Sequence, residues 1–181
     1  MAIVAKDINQ IILGAGEVYM YKVEGTVTEV PNDETIETEE HNVGHCSGGF
    51  SIEYKPTKYE VKNQYGRIVK SFITEEAVSC KTGILSWNLD NLALLSTGVV
   101  TSSSGKKTLT IGGGGALNTV LVRFVHTKDD GKKIRFTMFG QGGSGFALDF
   151  STTELTVDAE LTAVEKKAKF LCSIEEEVAT E

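Results

Sequence analysis

NTVLVRFVHTKDDGKKIRFTMFG (residues 118–140) places two runs rich in β-branched and aromatic residues, 118–127 and 132–140, on either side of KDDGK. The Asp130-Gly131 pair in that connection is a hairpin-turn signal, because such turns need positive φ at their central residues. Two antiparallel strands joined by a tight turn are therefore the unit from which the rest of the chain is read.

The same period of two recurs outward from this hairpin. In GEVYMYKV (16–23), Val18, Met20 and Lys22 fall on one face and Tyr19, Tyr21 and Val23 on the other, while Phe50, Ile52 and Tyr54 alternate with Ser51 and Glu53. GFALDF (145–150), ELTVDAELTAV (154–164) and KAKFLCSI (167–174) supply three further strands. In the middle one Leu155, Val157, Ala159, Leu161 and Ala163 share a core face, opposite a wet face of Thr156, Asp158, Glu160 and Thr162.

One helix interrupts the strands. Leu85, Leu89, Leu92 and Ala93 keep helical spacing, Asn88 is placed as N-cap, Trp87 and Leu92 are set to form a hydrophobic staple, and Gly98 can end the helix. EVPNDETIETEEH (29–41), with Pro31 and few apolar residues, reads as a solvated acidic loop. TSSSGKKTLTIGGGGALN (101–118) reads as loops around a short strand at 109–111.

The totals agree with a single β-rich domain. The chain has 181 residues, 40% hydrophobic, with 19 Gly and only 2 Pro, so bends are plentiful and strands are rarely broken. A formal charge of −7 argues against gripping nucleic acid by phosphate neutralisation. No apolar run of about 18 residues is present, and Asp7, Asn9 and Gln10 break the apolar start, so the reading is a chain made and kept in the cytosol without a membrane span. Cys46, Cys80 and Cys172 have neither the pairing nor the spacing of a disulfide framework or a zinc knuckle.

Candidate chemistry is thin. SGKKT (104–108) lacks the glycine five places before its Gly-Lys pair and has Lys107 where a magnesium-binding hydroxyl belongs, and GGGG (112–115) is followed by no helix. His41 and His45 flank Asn42-Val43-Gly44, a poor helix, which removes a two-histidine zinc face. In HNVGHCSGGFSIEY (41–54), Cys46 beside His45 suggests a thiol nucleophile, but neighbours in extended chain point to opposite faces, and the only other distant base is His126. The expectation is a protein with no catalytic residues, metal or cofactor.

The order of these features resembles that of the phage tail tube (major tail) proteins. Val43-Gly44 and Gly48-Gly49 match that family's bend, Tyr54 with Pro56 its strand end, and Trp87-Asn88-Leu89 its helix start; residues 129–164 are similar to its closing half. The resemblance covers about half the chain. It implies a β-sandwich or half-barrel of antiparallel strands with one flanking α-helix, in a single domain with an N-terminal arm (about 1–15) and an acidic loop (about 29–42). It further implies hexameric rings stacked into a hollow tube, in a virion tail or a tail-like bacteriocin assembled in the bacterial cytoplasm. Sheath, tape-measure, baseplate and terminator proteins would then be partners, with DNA only in transit.

DNA carries one phosphate charge per roughly 1.7 Å of axis, so an acidic lumen lets it pass where a basic one would hold it. Thr156, Asp158, Glu160 and Thr162 are expected to face that lumen. The stretch with Lys55, Lys58, Lys62 and Arg67 reads either as a solvated basic loop or as a loop docking on the acidic surface of the adjacent ring. A non-catalytic β-sandwich binding module for sugar or a host surface is the rival expectation.

Overall fold

The computed structural model describes Ile12 and residues 14–178; the expected N-terminal arm lies largely outside them. Half of the chain is in strands and 6% in helix, which makes the fold mainly β. In chain order the elements are β1 (Glu17–Lys22), α1 (Asp33–Ile36), β2 (Cys46–Lys62), β3 (Ile68–Ile84), α2 (Leu89–Leu94), β4 (Val99–Ser103), β5 (Lys106–Thr110), β6 (Thr119–Thr127), β7 (Lys133–Gln141), β8 (Val157–Ala163) and β9 (Cys172–Glu176).

The hairpin read first from the sequence sits in the middle of the main sheet. β6 and β7 pair from Thr119↔Gln141 to Thr127↔Lys133, and Gly131 takes φ 81° at the turn. The strand order is β1-β6-β7-β8-β3-β2, all antiparallel. The second edge of β7 is shared: β9 occupies residues 134–138, and β8 begins at Gly140 and Gln141 before running on to β3. β4 and β5 form a separate ribbon.

A principal core gathers Val18, Met20, Val122 and Phe136 from one end of this sheet with Val78, Cys80 and Leu161 from the other, closed by Leu92 of α2 and Leu95 at its C-cap. Side chains from strands several places apart meet in one cluster, so the sheet curls over on itself. Phe50 of β2 stacks on Phe124 of β6 with ring centroids 4.6 Å apart, across the closure. α2 begins where the sequence places it, with Asn88 Oδ1 accepting from the Asp90 N–H at 2.9 Å. It stops at Leu94, before Gly98, and Trp87 is 56% exposed with its ring 6.0 Å from Phe150.

Several boundaries differ from the sequence reading. Residues 145–150 form no strand, the last strand is Cys172–Glu176, and residues 106–110 form β5. The larger correction concerns residues 29–42, which keep an exposed outer side but are not solvated loop throughout. Asn32 caps a second short helix, α1, by accepting from the Thr35 N–H, and Ile36 is completely buried. This segment covers the other face of β1, β6 and β7 and makes a second core of Tyr19, Ile36, Leu121, Val125 and Phe139. Both faces of the β6–β7 hairpin are thereby buried, so these strands read as near-continuous apolar runs.

Candidate assembly surface

β8 presents its side chains alternately, Val157, Ala159 and Leu161 inward, Asp158 and Thr162 outward, with Glu160 half-covered and Thr156 half-buried just ahead of the strand. The register then extends the outward row across neighbouring strands. Glu160 lies opposite Lys81 and Thr162 opposite Ser79 on β3, while Ser51 and Glu53 of β2 lie opposite Lys81 and Ser79. The four residues chosen from the sequence thus share one polar face with hydroxyl and charged groups of β3 and β2. Its acidity is partly neutralised, since Lys81 pairs with Glu160 at 3.1 Å and Lys55 with Glu53 at 2.9 Å.

A groove of about 580 Å³ runs over this face, walled on one side by Ser144, Gly145 and Phe146 and on the other by Gly48 and Gly49. Those two glycines have φ 72° and 75°, and the pairing jumps from Ser47↔Gly83 to Phe50↔Thr82 around them. They form a bulge in the left-handed region, where a side chain costs about 1–2 kcal/mol. The bend read at this point of the sequence is that bulge.

Lys55, Lys58 and Lys62 do not lie in a loop; they belong to β2, and only Arg67 falls at the turn. Pairing between β2 and β3 continues out to Lys62↔Ile68, because Tyr54, Tyr59, Val61, Phe72 and Ile73 favour extended chain and find cross-strand partners. The turn is closed by Asn63, whose Oδ1 accepts from the N–H groups of Tyr65 and Arg67, each at 3.0 Å. The result is a ribbon of two 17-residue strands whose outer part stands clear of the body, with residues 68–77 of β3 all exposed.

Large apolar side chains ride on this arm: Tyr59 is 62% exposed, Tyr65 77%, Ile73 57% and Phe72 45%. Among the described residues, Lys58, Lys62 and Arg67 make no ion pair, and the outer edge of β2 has no partner strand. A bare two-stranded ribbon is marginally stable in water, and Tyr59 and Phe72, cross-strand partners on one face, put two large exposed rings side by side.

A buried charge network was not foreseen. Arg123, only 1% exposed, sends its guanidinium to Asp33 at 2.6 Å and Glu37 at 3.0 Å. Arg135 reaches Glu37 at 2.6 Å and Glu177 at 2.5 Å, and Lys133 reaches Glu37 at 3.3 Å. These pairs fasten α1 and the chain after β9 onto the central hairpin. The sequence carried two signals of it: an arginine inside the apolar run VLVRFV, which demands carboxylates when buried, and the Asn32-Asp33-Glu34 helix start.

The thiols are not activated. Cys46 is half-buried, donates weakly to the Gly44 carbonyl at 3.7 Å, and burial pushes its pKa up, as it does that of Cys172. Burial pushes the Cys80 thiol up to about 12. His126 is occupied elsewhere, its Nδ1 lying 2.5 Å from the Ala15 carbonyl oxygen, and His41 stacks on Tyr21 at 4.3 Å. No group of three His, Cys, Asp or Glu side chains suited to a metal ion occurs among the described residues, and none of their helices is long and apolar enough to cross a membrane. No known protein family matches the chain, and no curated protein is significantly similar to it.

Proposed function

We propose that this chain is a structural self-assembly subunit, the building block of a tail tube in which hexameric rings stack around a lumen. The observation that carries the reading is the β2–β3 arm, a long ribbon of exposed aromatic and basic side chains with an unpaired edge. Such an edge and such a surface are hazards in a monomer and useful in an assembly, where a neighbouring copy covers them. The sequence resemblance to tail tube proteins supports the same conclusion.

In this reading the face of Thr156, Asp158, Glu160 and Thr162 lines the lumen, and the charges of Lys55, Lys58, Lys62 and Arg67 meet the acidic surface of the adjacent ring. Six copies carry a formal −42, so a lining with a modest excess of carboxylates repels DNA in transit, within a screening length of about 8 Å. The chain performs no catalysis and needs no cofactor or metal; sheath, tape-measure, baseplate and terminator proteins of a virion or bacteriocin tail are its partners.

Negative-stain microscopy of the purified protein tests the proposal. Hollow filaments or six-fold rings are the expected result, and Lys62→Glu with Arg67→Glu reduces their yield at low salt. A protein that remains monomeric or trimeric and binds a glycan through the 580 Å³ groove would instead be the β-sandwich binding module.

A further inference from the structure

We propose that copies of this chain join head to tail, the aromatic tip of one β2–β3 arm seating on the apolar base of the arm of the next. The proposal rests on the self-assembly reading above and specifies the surface that assembly uses.

The apolar side chains of β2 change face partway along the strand. At the base they occupy even positions, Phe50, Ile52, Tyr54 and Pro56; beyond Thr57 they occupy odd positions, Tyr59 and Val61. Successive side chains of a strand point to opposite faces, so the two sets project from opposite sides of the ribbon. β3 accommodates the change through one extra residue, Thr74, at the register shift between Thr57↔Glu75 and Lys58↔Ile73. That shift keeps Phe72 opposite Tyr59 and Lys70 opposite Val61, and the Lys70 ammonium lies 4.7 Å over the Phe72 ring. The tip therefore carries a cation-rimmed aromatic knob on one face, and the base carries an apolar patch on the other.

The base patch borders a groove at its Phe50 end. Ile52 and Tyr54 are 41% and 53% exposed, and the row continues through Phe50 into a groove of about 370 Å³ lined by Val18, Cys46, Phe50 and Phe124. Charge decides which patch meets which. Lys58, Lys62, Arg67 and Lys70 against Glu60 alone give residues 58–70 a formal +3, leaving −10 for the rest of a chain of −7. Two tips repel each other, whereas a tip is drawn to the body of another copy. Knob and groove on opposite faces of one arm can be engaged at the same time by different neighbours, which makes the contact heterologous and the chain extendable.

The test uses two full-length variants and analytical ultracentrifugation, with circular dichroism as the control for folding. The tip variant is Tyr59→Ser with Phe72→Ser; the base variant is Ile52→Ser with Tyr54→Ser. Each alone loses self-association by about tenfold or more, the effect of truncating interface aromatics. Their equimolar mixture regains association between one tip variant and one base variant, beyond whatever ring each forms alone, and extends no further by this contact, because one intact tip and one intact base remain. A tip variant that associates as far as the wild-type chain overturns the proposal, as does a mixture that gains nothing over either variant alone while the wild-type chain assembles. A wild-type chain that never assembles overturns the self-assembly reading as well. If the serine variants unfold, a benzoylphenylalanine photocrosslinker at position 59 of the otherwise unchanged chain answers the same question. Crosslinks to peptides holding Phe50 or Phe124 of another copy are expected, and crosslinks to residues 58–72 overturn the pairing.

Discussion

Arg123 shows how one residue can hold a segment in place. A guanidinium with 2% of its side chain exposed needs its carboxylates, and Glu37, itself 11% exposed, also serves Arg135 and Lys133. Glu37→Ala therefore lowers the unfolding free energy by about 2 kcal/mol in urea titrations, because it takes the shared carboxylate from two buried guanidinium groups and leaves Arg123 with Asp33 and Arg135 with Asp33 and Glu177. Asp130→Ala, which loses the exposed bond from the Lys132 N–H to the Asp130 carboxylate at the turn, lowers it by only about 0.5–1 kcal/mol. Cys80 gives a pH dependence of definite sign. Its ordinary pKa of 9.0 rises to about 12 in the folded chain, so between those values the native state keeps a proton that the unfolded chain has lost. Stability present below pH 9 falls as pH rises towards 12, by on the order of 4 kcal/mol in all, at about 1.4 kcal/mol per unit. Tyr19, raised from 10.0 to about 12, acts with the same sign. The midpoints of urea denaturation curves should fall from pH 8 to pH 11, and Cys80→Val should remove part of that fall. Strand geometry sets Cys46 and His45 on opposite sides of the chain, and in the fold burial pushes the Cys46 thiol pKa up. The partners of Arg123 were not legible in the sequence, because Asp33 and Glu37 lie some 90 residues away in a stretch whose composition resembles solvated loop.

At the scale of elements, what was legible follows from period. β8 could be read residue by residue because its inward and outward sides differ sharply in polarity. The β6–β7 hairpin could be read because Asp-Gly fixes the turn. The arm defeated the same reasoning. Its apolar residues change parity beyond Thr57, charged residues fill the gaps, and Pro56 stands mid-strand on an edge that lacks a partner, so residues 55–67 read as a loop. Acidic residues 29–42 failed for a related reason: one buried isoleucine, Ile36, is enough to anchor a four-residue helix but too little to make a pattern. Because the outer arm buries few side chains, the body should not depend on it. Joining Pro56 to Glu76 through an Asn-Gly turn should change the unfolding free energy by about 1 kcal/mol or less in urea titrations, while assembly in the ultracentrifuge is lost.

For the whole molecule the distribution of charge matters more than its sum. A basic tip on an acidic body makes assembly electrostatically steered, so raising salt from roughly 50 to 500 mM should shift the sedimentation profile towards monomer. The mainly β class was legible because alternation is a local property. The topology was not, since β1 pairs with β6 and β9 with β7 by contacts that no local pattern announces. Those same pairings set the order of folding. Val18 finds Phe124 only across about a hundred residues of intervening chain, whereas Phe72 needs only a short loop to reach Tyr59. On the ribosome the arm hairpin can therefore close while its neighbours are still being made, and the body must wait for β6 and β7. The tip of the arm is thus complete before Val18 and Phe124 come together to finish the groove at its base, so each chain can present a knob before it has a whole seat of its own to offer.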